Sequence, residues 1–180
     1  MLRHYLRTAA IVLAMMGFLS LRPIPTAAQA PQTQQQPTYT LPEYNALQAA
    51  QAEKDPNARV KLLDAFVTQY PNSTLMQYID QMYYQTYYQL KNYTKAIDYT
   101  DKLVALGDKA DLALRVQAIQ AHVQLFPLAY PHPDNDALTK ERDAAVLGIK
   151  LYPDLKKAPN STVTDDQIKQ GIGFLQAAIV

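Results

Sequence analysis

The sequence contains no cysteine. That excludes a disulfide framework, a thiolate zinc site, a thiol nucleophile and a lipid-modified N-terminal cysteine. Tryptophan is absent as well. Glycine occurs five times in 180 residues, too thinly for a glycine-rich phosphate loop. Neither sign of charge prevails: 17 basic residues stand against 16 acidic ones, a net charge of +1. The basic residues form no stripe, so a nucleic-acid partner is not expected. Histidine occurs three times, and no serine, histidine and acid stand in a catalytic arrangement. No catalytic residue and no cofactor is expected. The length suffices for one domain with a real core.

The N-terminus has the three parts of a secretory signal peptide. Arg3, His4 and Arg7 form a basic start, residues 9–21 are apolar, and Thr26-Ala27-Ala28-Gln29-Ala30 supplies small residues for cleavage. Ala28-Gln29-Ala30 fits the A-x-A pattern but places Pro31 after the cut, so cleavage after Ala28 competes with cleavage after Ala30. An uncleaved membrane anchor is the alternative; the apolar stretch is short for a bilayer and is ended by Arg22. Removing residues 1–28 takes away three arginines, leaving 14 basic residues against 16 acidic ones and a net charge of −2. Residues 29–40 are rich in glutamine and proline and cannot bury apolar area, so a disordered tether is expected there.

Residues 41–180 carry one helix signal after another and no strand signal. Thr40 with Glu43 reads as a capping box before a helix reaching about residue 53. Asp55-Pro56 starts a second helix, with Ala58, Leu62, Ala65 and Phe66 on its apolar face and an end at Tyr70, before Pro71. Asn72-Ser73 opens a third helix, roughly 74–90, and Asn92 a fourth, roughly 93–106, which stops at Gly107. Asp108 is expected to cap the fifth, which carries Leu112, Val116, Ile119 and Val123 and ends near Phe126 before Pro127. After a proline-rich loop, Asn135 or Asp136 caps a sixth helix carrying Leu138, Ala145, Val146 and Ile149 and ending before Pro153. A loop over 153–163 leads to a second capping box, Thr164 with Gln167, and a last helix with Ile168, Ile172, Leu175 and Ile179. That makes three antiparallel pairs and one unpaired, apolar-ended helix. The unpaired helix has three fates open to it: packing back on the third pair, self-association through residues 165–180, or continuation in a longer array.

What the chain has in quantity is tyrosine, 13 in all, seven of them between Tyr78 and Tyr99. Tyr83, Tyr87 and Tyr93 sit on or beside the apolar stripe and read as packing between helices. Tyr84 and Tyr88 point off that stripe and are the candidate partner-binding residues, an exposed aromatic surface able to grip a peptide. His122 lies off the Leu112–Val123 face and His132 in a proline loop, and with Asp134-Asn135-Asp136 they lack the remaining ligands of a metal site, so a solvated loop and a helix cap are expected and no metal. Gly171-x-Gly173 lies inside a helical pattern, where it either permits a close helix contact or marks a weak spot.

The string Tyr83-Tyr84, Tyr87-Tyr88, Tyr93-Thr94-Lys95-Ala96-Ile97-Asp98-Tyr99 resembles a tetratricopeptide repeat, with Tyr87 at the first-helix tyrosine, Tyr93 at the turn and Ala96 at the second-helix alanine. Tyr84, Thr100 and Asp108 depart from the family pattern. Residues 55–73 and 145–153 resemble parts of two further repeats, and the Phe66…Tyr70-Pro71-Asn72-Ser73 ending is similar to repeats of bacterial envelope assembly proteins. The resemblance implies an all-α fold of antiparallel helix-pair repeats stacked as a short right-handed solenoid. With the export signal, it implies a non-catalytic, periplasmic adaptor or scaffold that binds a protein or peptide of the cell envelope in the groove of its first helices. A self-assembling structural module using the last helix is the alternative.

Overall fold

The computed structural model describes residues 38–158 and 161–179. The signal-peptide reading and most of the expected tether lie outside the described residues. Among the described residues there are seven α-helices and no strand: α1 (Leu41–Ala52), α2 (Pro56–Gln69), α3 (Met76–Gln89), α4 (Tyr93–Ala105), α5 (Leu112–Ala129), α6 (Asn135–Leu151) and α7 (Asp165–Ala178). Short 3-10 turns, Gly107–Lys109 and Tyr152–Lys157, precede α5 and follow α6. Each helix packs on the next, while α3 also touches α5, and α5 touches α7. No helix among the described residues is long and apolar enough to cross a membrane.

The helix starts follow local chemistry. Thr40 and Glu43 form a reciprocal capping box, as do Thr164 and Gln167. Asp55 accepts from the amides of Asn57 and Ala58, and Pro56 opens α2. Asn92 caps α4 through the Lys95 amide. The α3–α4 turn closes tightly: the Lys91 amide donates to Tyr88 O and the Asn92 amide to Tyr87 O, both at 2.9 Å, with Lys91 in the left-handed region at φ 57°.

Several expectations are corrected. Thr38 and Tyr39 are tied to the domain, through the Thr74 hydroxyl and by stacking on Tyr44, so the expected tether does not extend to residue 40. The tyrosine helix begins at Met76, and no side chain caps it. Asp111, not Asp108, caps α5, and Asp108 instead pairs with Arg115 at 3.3 Å. Asp134 caps α6, in place of Asn135 or Asp136. Pro127 does not end α5, which runs on to Ala129. Losing one backbone bond there is offset by burial of Leu125 and Phe126 and by the Phe126–Tyr130 ring contact at 5.1 Å.

Two buried faces are rotated from those expected. On α2, Leu63 is buried and Leu62 exposed, because Val60, Leu63 and Val67 bury more apolar area beside Phe66 than Ala58 and Ala65 would. On α6, Leu138 and Val146 are exposed, while Ala145 and Gly148 face the core. The small residues win because α5 and α7 come close: a Cβ on Gly148 would sit 2.5 Å from Leu175 Cδ1 and 2.8 Å from Ile119 Cγ2.

The last helix takes the first of its three fates and packs back on α5 and α6. Gly171 seats it, because the Tyr152 ring occupies the space where a Cβ would stand, whereas Gly173 faces open space. Gly171→Ala is therefore expected to destabilise the protein by about 1–3 kcal/mol through overpacking. Gly173→Ala should stabilise it by up to about 1 kcal/mol through helix propensity. Urea unfolding followed by circular dichroism reads both, and equal effects at the two glycines would contradict this docking of α7.

Candidate functional site

The tyrosines of α3 and α4 form one stack. Tyr83 and Tyr87, one helical turn apart, lie with ring centres at 6.1 Å and planes 8° apart. Tyr99 of α4 slides against both, at 4.1 Å from Tyr83 and 5.6 Å from Tyr87. Lys95 and Lys102 bracket the stack. The Lys95 ammonium lies 5.0 Å from the Tyr87 ring centre, and that of Lys102 lies 4.0 Å from the Tyr99 ring centre. Each such contact is worth about 0.5–1 kcal/mol at an exposed site. The Tyr83 hydroxyl donates to Asp64 Oδ1 of α2 at 2.6 Å. Burial, the bond to the Asp64 carboxylate and the neighbouring tyrosines push the Tyr83 phenol's pKa far up, so it stays a neutral donor.

Two open depressions flank this stack. One, of about 420 Å³, lies over Tyr87, Lys95, Asp98, Tyr99, Asp101 and Lys102. The other, of about 560 Å³, has Asp64 and Asp80 as its acids, Tyr83, Tyr99 and Lys102 beside them, and Val67, Met76 and Leu106 among its apolar walls. Tyr99 and Lys102 line both, so the two depressions adjoin along α2, α3 and α4. The arrangement offers aromatic edges, hydrogen-bond acceptors and short apolar walls.

Asp80 is the anomalous member. It is 9% exposed. Burial pushes its carboxyl up to about 6, and the Lys102 charge opposes that rise.

The sequence-derived binding residues part company. Tyr88 is 48% exposed, as expected, at the end of α3 with its ring 6.1 Å from Tyr93, but it lines neither depression. Tyr84 is 6% exposed and belongs to the core, which corrects the expectation of an exposed ring. The apolar-stripe reading assumes one buried face, yet α3 has α2 and α4 as neighbours and touches α5 too. Asp64, Asp80, Lys95, Tyr99 and Lys102 were not singled out from sequence. The signal was there in Asp80, set between Ile79 and the Met82–Tyr83 pair on an apolar face, and in Lys95, Tyr99 and Lys102 at spacings of four and three.

Compared with protein-family models, with curated proteins and with solved structures, the chain matches none.

A second polar cluster runs from the core to the surface. His122, read from sequence as lying off the buried face, is buried, since α5 has neighbours on more than one side. Its Nδ1 is 2.7 Å from Asp101 Oδ1, and its Nε2 is sealed without a partner. Burial raises the Glu141 carboxyl on α6 to about 7, against the opposing charge of His122. No three potential metal-ligating side chains converge among the described residues.

Asp80 fixes a pH dependence. Its raised pKa makes the folded protein hold a proton that the unfolded chain releases, so stability is greatest below about pH 4 and is lost as pH rises through about 6. The shift corresponds to about 3 kcal/mol, which water in the open groove reduces to roughly 1–2 kcal/mol. Asp80→Asn should therefore stabilise the protein by roughly that amount at neutral pH and have little effect in acid. Denaturant unfolding across pH checks this, and a pH-independent effect would contradict it.

Proposed function

We propose that this chain is an exported adaptor of the bacterial cell envelope, built of tetratricopeptide-like helix pairs, which holds a protein or peptide partner and performs no chemistry of its own. The observation that carries the reading is the pair of open depressions over the buried tyrosine stack, where the half-buried Tyr99 ring is bordered by lysines and aspartates of α2, α3 and α4. Aromatic and charged groups in a shallow groove recognise chains by stacking and hydrogen bonding.

The α3–α5 and α5–α7 contacts support a stack in which the first helices of successive pairs adjoin. The groove lies elsewhere than the family resemblance implies: α2 and α4, the second helices of their pairs, form its walls. Tyr88 stands outside the depressions and serves as an additional contact at the end of α3. A periplasmic location follows from the signal-peptide reading of residues 1–28.

The self-assembling module stays as a second reading because Leu138, Val146 and Ile179 are exposed on α6 and just beyond α7. Another copy could cover that apolar surface with its own residues 165–180.

In-cell crosslinking of the tagged, exported protein, read by mass spectrometry, separates the two. The adaptor reading expects recurrent capture of one different envelope protein. Capture should fall at least tenfold in Thr68→Trp and Asp98→Trp, since these exposed positions line the two depressions and a bulky ring would fill them whatever the partner's charge. Capture of the chain alone, with crosslinks at residues 165–180, would overturn the adaptor and favour self-assembly.

A further inference from the structure

We infer that the larger depression receives a cationic side chain, arginine or lysine, from a peptide segment of the partner. The inference rests on the adaptor reading and names the chemistry of what the groove holds.

Asp80 carries the argument. It is nine-tenths buried, and it makes no side-chain hydrogen bond and no ion pair within 4.0 Å among the described residues. The side-chain atoms that are sealed and partnerless among those residues are Arg115 Nε and His122 Nε2. The Asp80 oxygens, partnerless but not sealed, therefore open on the depression they line. A buried carboxylate without a donor is costly, and a donor arriving from outside removes that cost.

Asp64 stands in the same depression. One of its oxygens accepts from Tyr83, and the other accepts nothing among the described residues. Two carboxylates therefore converge with acceptor capacity to spare, and an anionic ligand would meet repulsion. Val67, Met76 and Leu106 provide apolar wall for the aliphatic stem of a long cationic side chain, whose head group would reach the two acids.

Charge agrees with this choice. Across both depressions, Asp64, Asp80, Asp98 and Asp101 face Lys95 and Lys102, so four acids stand against two bases. Lys102 is held over the Tyr99 ring and forms no ion pair within 4.0 Å of Asp80. A divalent metal fits less well, because the depression offers two carboxylates beside an ammonium and metal sites of this kind take six or more oxygen ligands.

The test titrates the isotope-labelled full protein with acetylated, amidated Gly-Ser-Leu-X-Leu-Ser-Gly peptides, X being arginine, lysine, citrulline or glutamate, and follows amide resonances. The arginine and lysine peptides should move the resonances of Asp80, Tyr83 and Tyr99 and bind at least tenfold more tightly than the citrulline peptide. Asp80→Asn should abolish that preference while the protein stays folded. Lys102→Met should increase it several-fold, since it removes the competing positive charge.

Equal binding of arginine and citrulline peptides, tightest binding of the glutamate peptide, or no groove shifts at millimolar peptide would each overturn the inference. If a captured partner is lost in Thr68→Trp while the peptides show no preference for a cation, the adaptor reading stands and this inference falls. If no partner is captured, the adaptor reading itself falls.

Discussion

The structure depends on α5 burying most of its circumference, all but the face of Ala113, Gln117, Gln120, Gln124 and Leu128. Val116, Ile119 and Val123 belong to a core shared with α6, α7 and Tyr152, whereas Ala121, Leu125 and Phe126 belong to a core shared with α1 to α4. One helix thus forms part of both cores, and neither half of the domain can bury its apolar face without it. His122 falls on the enclosed part of that circumference, so it is buried, with its Nδ1 against Asp101. Packing of that kind also keeps the last turn helical past Pro127.

This arrangement determines what α3 presents. Helices α2 and α4 lie against it, and α5 touches it as well, so α3 buries Tyr83, Tyr84 and Tyr87 together. Phenols that share a packed interior must place their hydroxyls, and Tyr83 does so by reaching Asp64. The groove is the surface expression of that packing: a stack held from below by α3 and flanked by α2 and α4. Asp80 works against stability at neutral pH. A carboxylate kept where it has no partner breaks the agreement between burial and chemistry found elsewhere in the core, and such breaks are expected at functional sites. A preformed groove of this kind would bind with little reorganisation, because its side chains are already ordered by the core.

What could be read from the sequence was what is decided locally. The capping boxes at Thr40 and Thr164, the Asp55-Pro56 start, the Asn92 cap and the all-helical class involve residues within one turn of each other, and all are seen. What could not be read was set by neighbours distant in the chain. Whether Leu62 or Leu63 faces inward, or Val146 or Gly148, depends on which helix lies opposite and how closely. Tyr84 and His122 were misplaced because a single-face pattern does not describe helices enclosed from several sides. Gly171 shows the limit well: the sequence offered a close contact or a weak spot, and the choice was made by the ring of Tyr152. The groove itself unites three helices, and its acids on α2 and α3 are brought to the lysines of α4 by the fold alone.

The central claim is that α5 joins the two cores into one rigid scaffold on which the groove is preformed. Native-state hydrogen exchange of the full protein tests it most directly, because it resolves which segments open together. A single scaffold requires the amides of residues 118–126 in α5 and 79–87 in α3 to share the slowest class, with one opening free energy, in the absence of any partner. Exchange of residues 79–87 in a separate, faster class would contradict it. The groove would then be ordered only when something occupies it.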